Sequence, residues 1–372
     1  MKIVINALQY KKNSSGIGVL LRDLFGSFIR VTDAPCEVIL TRDAPLFPVG
    51  ERAKCVQAPC AYGQGLRRMF FQTFQFGPRC CQDAILLTTD SKMPLLLPKD
   101  CVAVPLVTDL AVYRMKETYR LSRVLWWRLQ YWFVRRRANF FLAISEFTKQ
   151  EMMQIWGIPE EKIHIVPCAC SAEMRRVKEV EKLDALRKKY ALPEHFLLFV
   201  GNFNPRKNLE RLMRAYDRAR DSGKVAHQLV IAGEQGWKFD KQTALKDIAH
   251  QDDIRFIGFV PDEDMAALYS AADAFLFPTL YEGFGIPVIE AQSCGTPVLT
   301  SNVSSLPEVG GDAAIYIDPY NEEDICAGIV KIVGDTVLAQ ELQEKGYENA
   351  KQFSWEKSAE ILREVIEREV MR

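Results

Sequence analysis

Short runs of consecutive apolar residues alternate along this chain with longer stretches in which apolar positions recur every three or four residues. In the first half the short runs are residues 2–7, 37–40, 84–87, 102–107, 140–144 and 163–167. In the second half they are 196–200, 229–233, 254–260 and 274–278. Runs of this length predict strands buried on both faces, and the helical periodicity between them predicts covering helices. The fold class expected is α/β with parallel sheets. Helices are predicted to start near Val19, at Ser145 as an N-cap, at Leu209, at Pro287 in a first turn, and at Phe353 for a last amphipathic segment. The charged, strand-poor stretch 171–190 reads as the connection between domains. No internal repeat or low-complexity tract interrupts the series.

Length turns this alternation into two units, because 372 residues exceed one typical core and suit two domains of Rossmann-like size. The formal net charge is zero, with 48 Lys plus Arg against 48 Asp plus Glu. It is unevenly spread: residues 1–180 hold 26 basic against 16 acidic side chains, and the remainder 22 against 32. A basic first half and an acidic second half imply different partners, or halves that attract each other. Ten cysteines (36, 55, 60, 80, 81, 101, 168, 170, 294, 326) form no Cys-x-x-Cys pair and no metal spacing with His164, His195, His227 and His250. They read as reduced thiols of a cytoplasmic protein. No apolar run is long enough to cross a bilayer, and the N-terminus reads as a strand rather than a signal peptide, so a soluble or peripheral protein is expected. Two stretches, 66–76 and 120–137, are basic and aromatic together. They suit helices lying on an anionic membrane, or helices packed on the sheet through their aromatics with arginine outward.

The candidate chemistry lies in glycine turns between strand and helix. Glu282, Gly283, Phe284 and Gly285 follow the run 274–278 and precede the helix marked by Pro287, with Glu290 about one turn further on. Glycines admit a ligand close to the backbone, and a helix N-terminus offers unpaired N–H groups to an anion. Two carboxylates beside such an anion site suit a ligand bearing both phosphate and sugar hydroxyls; the alternative is an ordinary turn with a solvated and a capping Glu. Gly201 ends another predicted strand, and Arg206 and Lys207 then stand at the next helix start, where two cations meet a diphosphate or simply meet water. Gly233 and Gly258 end further strands. Gly16 and Gly18, after Asn13, Ser14 and Ser15, form a Gly-x-Gly turn that lacks the third glycine of the dinucleotide fingerprint.

Taken together, Gly16-Ile-Gly18, Ser145-Glu-Phe147, Val166-Pro167, Gly201 with Arg206-Lys-Asn208, and Glu282 through Glu290 resemble the family 4 retaining glycosyltransferases of the GT-B fold, over nearly the whole chain. The resemblance implies two Rossmann-like domains facing a cleft, here 1–171 and 172–353, with the last helix, 354–372, crossing back to the first. It implies that Arg206 and Lys207 neutralise the diphosphate of a nucleotide sugar. Glu290 would bind the ribose, and Glu282 with the amides of Gly283, Phe284 and Gly285 the sugar hydroxyls. Further donor-binding positions are Gly16, Gly18, Gly201, Asn202, Gly233 and Ile286, with Phe259 and Val260 meeting the base. Where the family usually has His-Asp-Leu, this chain has Thr108-Asp109-Leu110; by resemblance Thr108 and Asp109 would stand at the first-domain catalytic contact, with a hydroxyl in place of the imidazole.

The expected activity is transfer of a hexose from GDP-mannose, a UDP-hexose or dTDP-rhamnose, with retention, to a saccharide acceptor. The basic, aromatic first half points to a lipid-linked acceptor and peripheral contact with an anionic membrane; no nucleic acid is implied. No Asp-x-Asp pair occupies a matching loop, so neither metal nor cofactor is expected. Other readings are a nucleotide-sugar-binding pseudoenzyme serving as a partner subunit, suggested by Thr108, and another GT-B enzyme such as an epimerase.

Overall fold

The structure is a computed structural model that describes residues 1–11, 16–49, 52–89 and 93–370. Asn13, Ser14 and Ser15 of the first glycine turn lie outside the described residues. The chain divides into two compact units, Met1–Cys168 with Ser354–Arg372, and Ala169–Phe353. Each is built on one parallel sheet, as the alternating pattern predicts.

The first unit holds β1 (Lys2–Asn6), α1 (Ile17–Val31), β2 (Cys36–Leu40), β3 (Ala53–Gln57), β4 (Ala84–Thr89), β5 (Val102–Val107), α2 (Leu121–Arg137), β6 (Phe141–Ala143), α3 (Glu146–Glu151) and β7 (Ile163–Ile165). Its seven strands run in the order β3-β2-β1-β4-β5-β6-β7. β4 is buried along its whole length, as is all but the first residue of β1 and β5, which is why these strands read as unbroken apolar runs. The edge strand β3, carrying Lys54 and the exposed Cys55, is half solvated and gave no such run. At the start of α3 the Ser145 hydroxyl accepts the Thr148 N–H at 3.0 Å, the cap its position predicts. The C-terminal helix Trp355–Val370 packs on α1, burying Ala359 and Leu362 completely, and the Ser358 hydroxyl donates to the Pro167 carbonyl at 2.7 Å.

The two basic, aromatic stretches are helical. In α2, Val124, Tyr131 and Val134 face the core, while Leu121 (73% exposed), Leu125, Trp126, Leu129 and Trp132 face outward. Arg136 stacks over Trp132 at 4.1 Å and Arg123 over Trp127 at 4.6 Å. The helical stretch from Gly65 to Cys80, with a wider turn at Phe71–Gln75, buries Phe71 and Phe76 and turns Leu66, Met69, Phe70 and Phe74 outward. Much of the large apolar surface of both helices therefore faces solvent, contrary to a helix that hides its aromatics on the sheet. Among the described residues no helix is long and apolar enough to cross a membrane.

The second unit holds β8 (Phe196–Val200), α4 (Leu209–Asp221), β9 (Gln228–Ala232), β10 (Ile254–Gly258), α5 (Asp262–Ala271), β11 (Ala274–Phe277), α6 (Ile286–Ser293), β12 (Val298–Ser301) and β13 (Ala314–Ile317). Its six strands run β10-β9-β8-β11-β12-β13. The stretch expected to be a plain connection instead contains the helix Val180–Tyr190, which packs on α5 through an ion pair between Lys189 and Asp264 at 2.6 Å. Its charges lie on the solvated face while Leu186 is buried, so a helix shows as a charge run in sequence. All ten cysteines are free thiols.

Replacing Leu362 by alanine should lower the stability of the first unit by about 3 kcal/mol, the usual cost of a cavity at a fully buried leucine. Five of the six tryptophans belong to that unit, so urea unfolding followed by tryptophan fluorescence reads the loss there.

Candidate active site

In a doubly wound parallel sheet the loops that follow two neighbouring strands diverge where the strand order reverses, and this leaves a crevice at the carboxyl edge. In the second unit that point lies between β8 and β11. The loops leaving those two strands carry Gly201 to Asn208 and Tyr281 to Gly285.

Local hydrogen bonds shape the first loop. The Asn204 side chain accepts the Arg206 N–H at 3.1 Å and starts the single turn Pro205–Lys207. Asn208 then takes a left-handed conformation (φ 59°), which asparagine tolerates, and its amide donates to the carbonyls of Pro278 at 2.9 Å and Pro319 at 2.8 Å. The Leu280 N–H donates to the Arg206 carbonyl at 2.8 Å. Both loops are thereby joined before any side chain crosses.

The charged groups meet inside this frame. Lys207 Nζ donates to Glu282 Oε1 at 2.9 Å and lies 4.5 Å over the Phe277 ring. Burial lowers the Lys207 pKa, and the Glu282 carboxylate opposes that shift. Removing either partner of so enclosed a pair would strand the other charge. Glu290, one turn into α6, accepts the Tyr269 hydroxyl at 2.9 Å and lies near enough for its charge to act on Lys207. Burial pushes its carboxyl up to about 7, against the favourable pull of Tyr269 and Lys207. α6 begins after Gly285 (φ 109°) with no side-chain cap and with Pro287 in its first turn. Pro287 has no N–H and that of Val288 donates to the Gly285 carbonyl at 2.9 Å, so the amide this helix start turns toward an anion is that of Ile286.

The glycines of β8 and β9 act by their size. The Gly201 amide donates to Ala232 O at 3.0 Å and the Gly233 amide to Gly258 O at 2.8 Å, so neither is free for a ligand. A Cβ on Gly233 (φ 141°) would be driven into the Gly201 carbonyl, which lets the two strand ends close on each other.

The second unit thus brings Arg206, Lys207, Glu282, Gly283, Phe284, Gly285, Ile286 and Glu290 onto adjoining loops and one helix start, with Gly201 beside them. Asn202 is exposed, and its carbonyl accepts the Asn204 amide at 3.0 Å. Phe259, exposed, and Val260, buried, follow β10, two strands away from β8. Gly16, Gly18, Thr108 and Asp109 belong to the first unit. Gly16 is an exposed turn residue before α1 and Gly18 is buried in its first turn. Thr108 and Asp109 follow β5, where Asp109 Oδ1 accepts the Ala111 N–H at 3.0 Å.

Sequence reading missed the residues that brace the second loop. The Ser304 hydroxyl accepts the Glu282 N–H at 3.1 Å, and the Ser305 hydroxyl donates to the carbonyls of Glu282 at 3.0 Å and Phe284 at 2.7 Å. They follow β12, and no local spacing ties them to Glu282. Tyr269 escaped notice for the same reason. One further grouping lies outside what local spacing shows. His195, His227 and Asp273 converge at the opposite edge of this sheet, drawn from three separate strand starts.

Known proteins match this chain in both units. Residues 184–353 fit the family described as Glycosyl transferases group 1, and residues 107–173 the one described as Glycosyltransferase Family 4. The chain is 34% identical over 255 residues to O-antigen chain mannosyltransferase B of Escherichia coli, covering 68% of this chain and 67% of that protein. It is 31% identical over 229 residues to the serotype-specific mannosyltransferase WbdA of Escherichia coli, covering 60% of this chain but only 28% of that longer one. Among solved structures, Anabaena Alr3699/HepE in complex with UDP-glucose superposes with a TM-score of 0.74 at 14% identity, over 99% of this chain and 100% of that one, which shows a shared GT-B fold.

Because Glu290 titrates near 7 in the folded chain, against 4.5 for a free glutamate, ionising it costs stability. The penalty is absent below pH 4.5, grows as pH rises, and is complete above 7. Glu290→Gln should therefore be more stable than the native chain at pH 8, by about 1–3 kcal/mol, with the difference vanishing toward pH 4.5. Thermal unfolding at a series of pH values measures this.

Proposed function

This chain belongs to the family 4, group 1 glycosyltransferases, and from that premise we propose that it moves mannose, with retention, from a nucleotide diphosphate sugar to a lipid-linked saccharide acceptor in surface polysaccharide assembly. One observation carries the donor half of this reading: the Lys207–Glu282 pair at the strand-order reversal, with Arg206 and the uncapped start of α6 beside it. The choice of mannose rests on the relatives named as mannosyltransferases.

Cleaving a sugar–phosphate bond builds negative charge on the departing diphosphate and oxocarbenium character on the sugar. Fixed cations at the leaving group are worth more in that transition state than in the ground state, so they lower the barrier. An ammonium has three N–H donors. Glu282 takes one from Lys207, and the others remain for phosphate oxygens alongside Arg206 and the Ile286 amide at the start of α6. In this reading these groups do the work a divalent metal does elsewhere. Glu282 and, once ionised, Glu290 accept hydrogen bonds from hydroxyls of the sugar and the ribose. Retention follows from front-face attack in which the leaving phosphate oxygen takes the acceptor proton, so no protein base is required. For Thr108 and Asp109 we propose a smaller part, since a threonine hydroxyl brings no charge.

The membrane half of the reading rests on the outward stripes Leu121, Leu125, Leu129, Trp132 and Leu66, Phe70, Phe74, set among arginines. Leucine and tryptophan enter the interface while arginine meets anionic headgroups. Such a surface would keep the enzyme beside a lipid-linked acceptor.

Arg206→Ala and Lys207→Ala should each lower kcat by about a hundred- to a thousandfold, and Thr108→Ala by less, in a transfer assay with GDP-mannose. Proton NMR of the product should show the anomeric configuration of the donor; an inverted product removes the mechanism. Leu121→Ser combined with Leu125→Ser should abolish sedimentation with anionic vesicles yet leave transfer to a soluble acceptor intact. Equal sedimentation of both proteins would remove the membrane reading.

A further inference from the structure

The amino edge of the second sheet, at the far end of the strands from the candidate active site, brings two imidazoles and a carboxylate together. His195 immediately precedes β8, His227 precedes β9 and Asp273 precedes β11, and these three strands are neighbours in the order β9-β8-β11. Backbone bonds hold the three starts level: the Gln228 N–H donates to His195 O at 3.3 Å and the Asp273 N–H to Phe196 O at 3.0 Å. The Asp273 carboxylate is aimed by the Phe196 N–H, which donates to Oδ2 at 2.8 Å. From the three side chains, one ligating atom each lies within 4.8 Å of the others. No other group of three or more such side chains is found among the described residues.

One imidazole–carboxylate contact here is within hydrogen-bond reach and the other is longer. His195 Nδ1 stands 3.3 Å from Asp273 Oδ1, and His227 Nε2 stands 3.7 Å from Asp273 Oδ2. The second spacing is too long for a hydrogen bond. It is close to the roughly 3.4 Å that separates two ligands of one tetrahedral ion bonded at about 2.1 Å. The imidazoles lie 5.6 Å apart at 66°, edge to face rather than stacked. His195 is 66% exposed and can swing inward, whereas His227 and Asp273 are more enclosed.

We propose that His195, His227 and Asp273 form a binding site for a divalent transition metal of the zinc class, with water completing the coordination. Two imidazole nitrogens and one carboxylate oxygen suit zinc, cobalt or nickel rather than magnesium or calcium, which prefer all-oxygen shells. The ion ties the starts of three adjacent strands together, so its effect is on the stability of the second unit. It lies at the other edge of the sheet from Lys207 and Glu282, and the inference does not rest on the transfer reaction.

The test uses the full chain, freed of metal with a chelator and kept reduced, and titrated with cobalt(II) and zinc. Expected are one equivalent of high-affinity metal, a visible cobalt spectrum without the near-ultraviolet band of thiolate ligation, and a rise in melting temperature that scales with zinc. The exposed His195→Ala change, which leaves the fold intact, should weaken binding about tenfold or more, and His227→Asn should do the same. Absence of binding would overturn the proposal. So would a cobalt spectrum dominated by thiolate, or an affinity that neither substitution changes, since each places the metal elsewhere.

Discussion

The second unit depends on one enclosed ion pair, Lys207 with Glu282, formed by loops that leave two neighbouring strands in opposite directions. A lysine set against an aromatic ring and cut off from much of its water is unstable alone, and a buried glutamate is no better off. Together they are tolerable, and the pair holds a cation with spare donors at the mouth of the crevice. The surrounding sequence can be read as what that arrangement requires. Asn204 and Asn208 set the turn that brings Lys207 inward, Ser304 and Ser305 fix the backbone under Glu282, and Gly201 and Gly233 let the strand ends approach.

Stability is given up at the same place. Glu290 is held where ionisation is costly, with its carboxyl near 7 although it accepts the Tyr269 hydroxyl. The start of α6 is left without a cap. Asn321 and Asp240 cap two other helices of this unit, while α4 and α5, like α6, begin without a side-chain cap. A buried ion pair and an under-solvated acid in one corner are the mark of a site prepared for a polar ligand rather than for folding.

The sequence made the two-sheet architecture legible because its central strands are buried on both faces and leave unbroken apolar runs. β3, with Lys54 and Cys55 partly in water, left no such trace, and the helix Val180–Tyr190 was hidden by the charges on its wet side. The site was legible where its parts are close in sequence: Arg206 with Lys207, and Glu282 with Gly285 and Glu290. What crosses from one strand to another was not. Ser304 under Glu282, Tyr269 on Glu290, and the grouping of His195, His227 and Asp273 are consequences of strand order, which local spacing does not contain. The outward turn of Leu121 and Trp132 was equally open, since a helix apolar on both sides carries no sign of which side the sheet will take.

The central claim is that the Lys207–Glu282 crevice grips a diphosphate. Hydrogen–deuterium exchange of the full chain with and without a nucleoside diphosphate tests it most directly, because it locates binding without presuming a sugar or an acceptor. The account predicts slowed exchange at residues 202–208 and 281–289 in the second unit. Protection confined to other segments, with these two loops exchanging as fast as in the free protein, would contradict it.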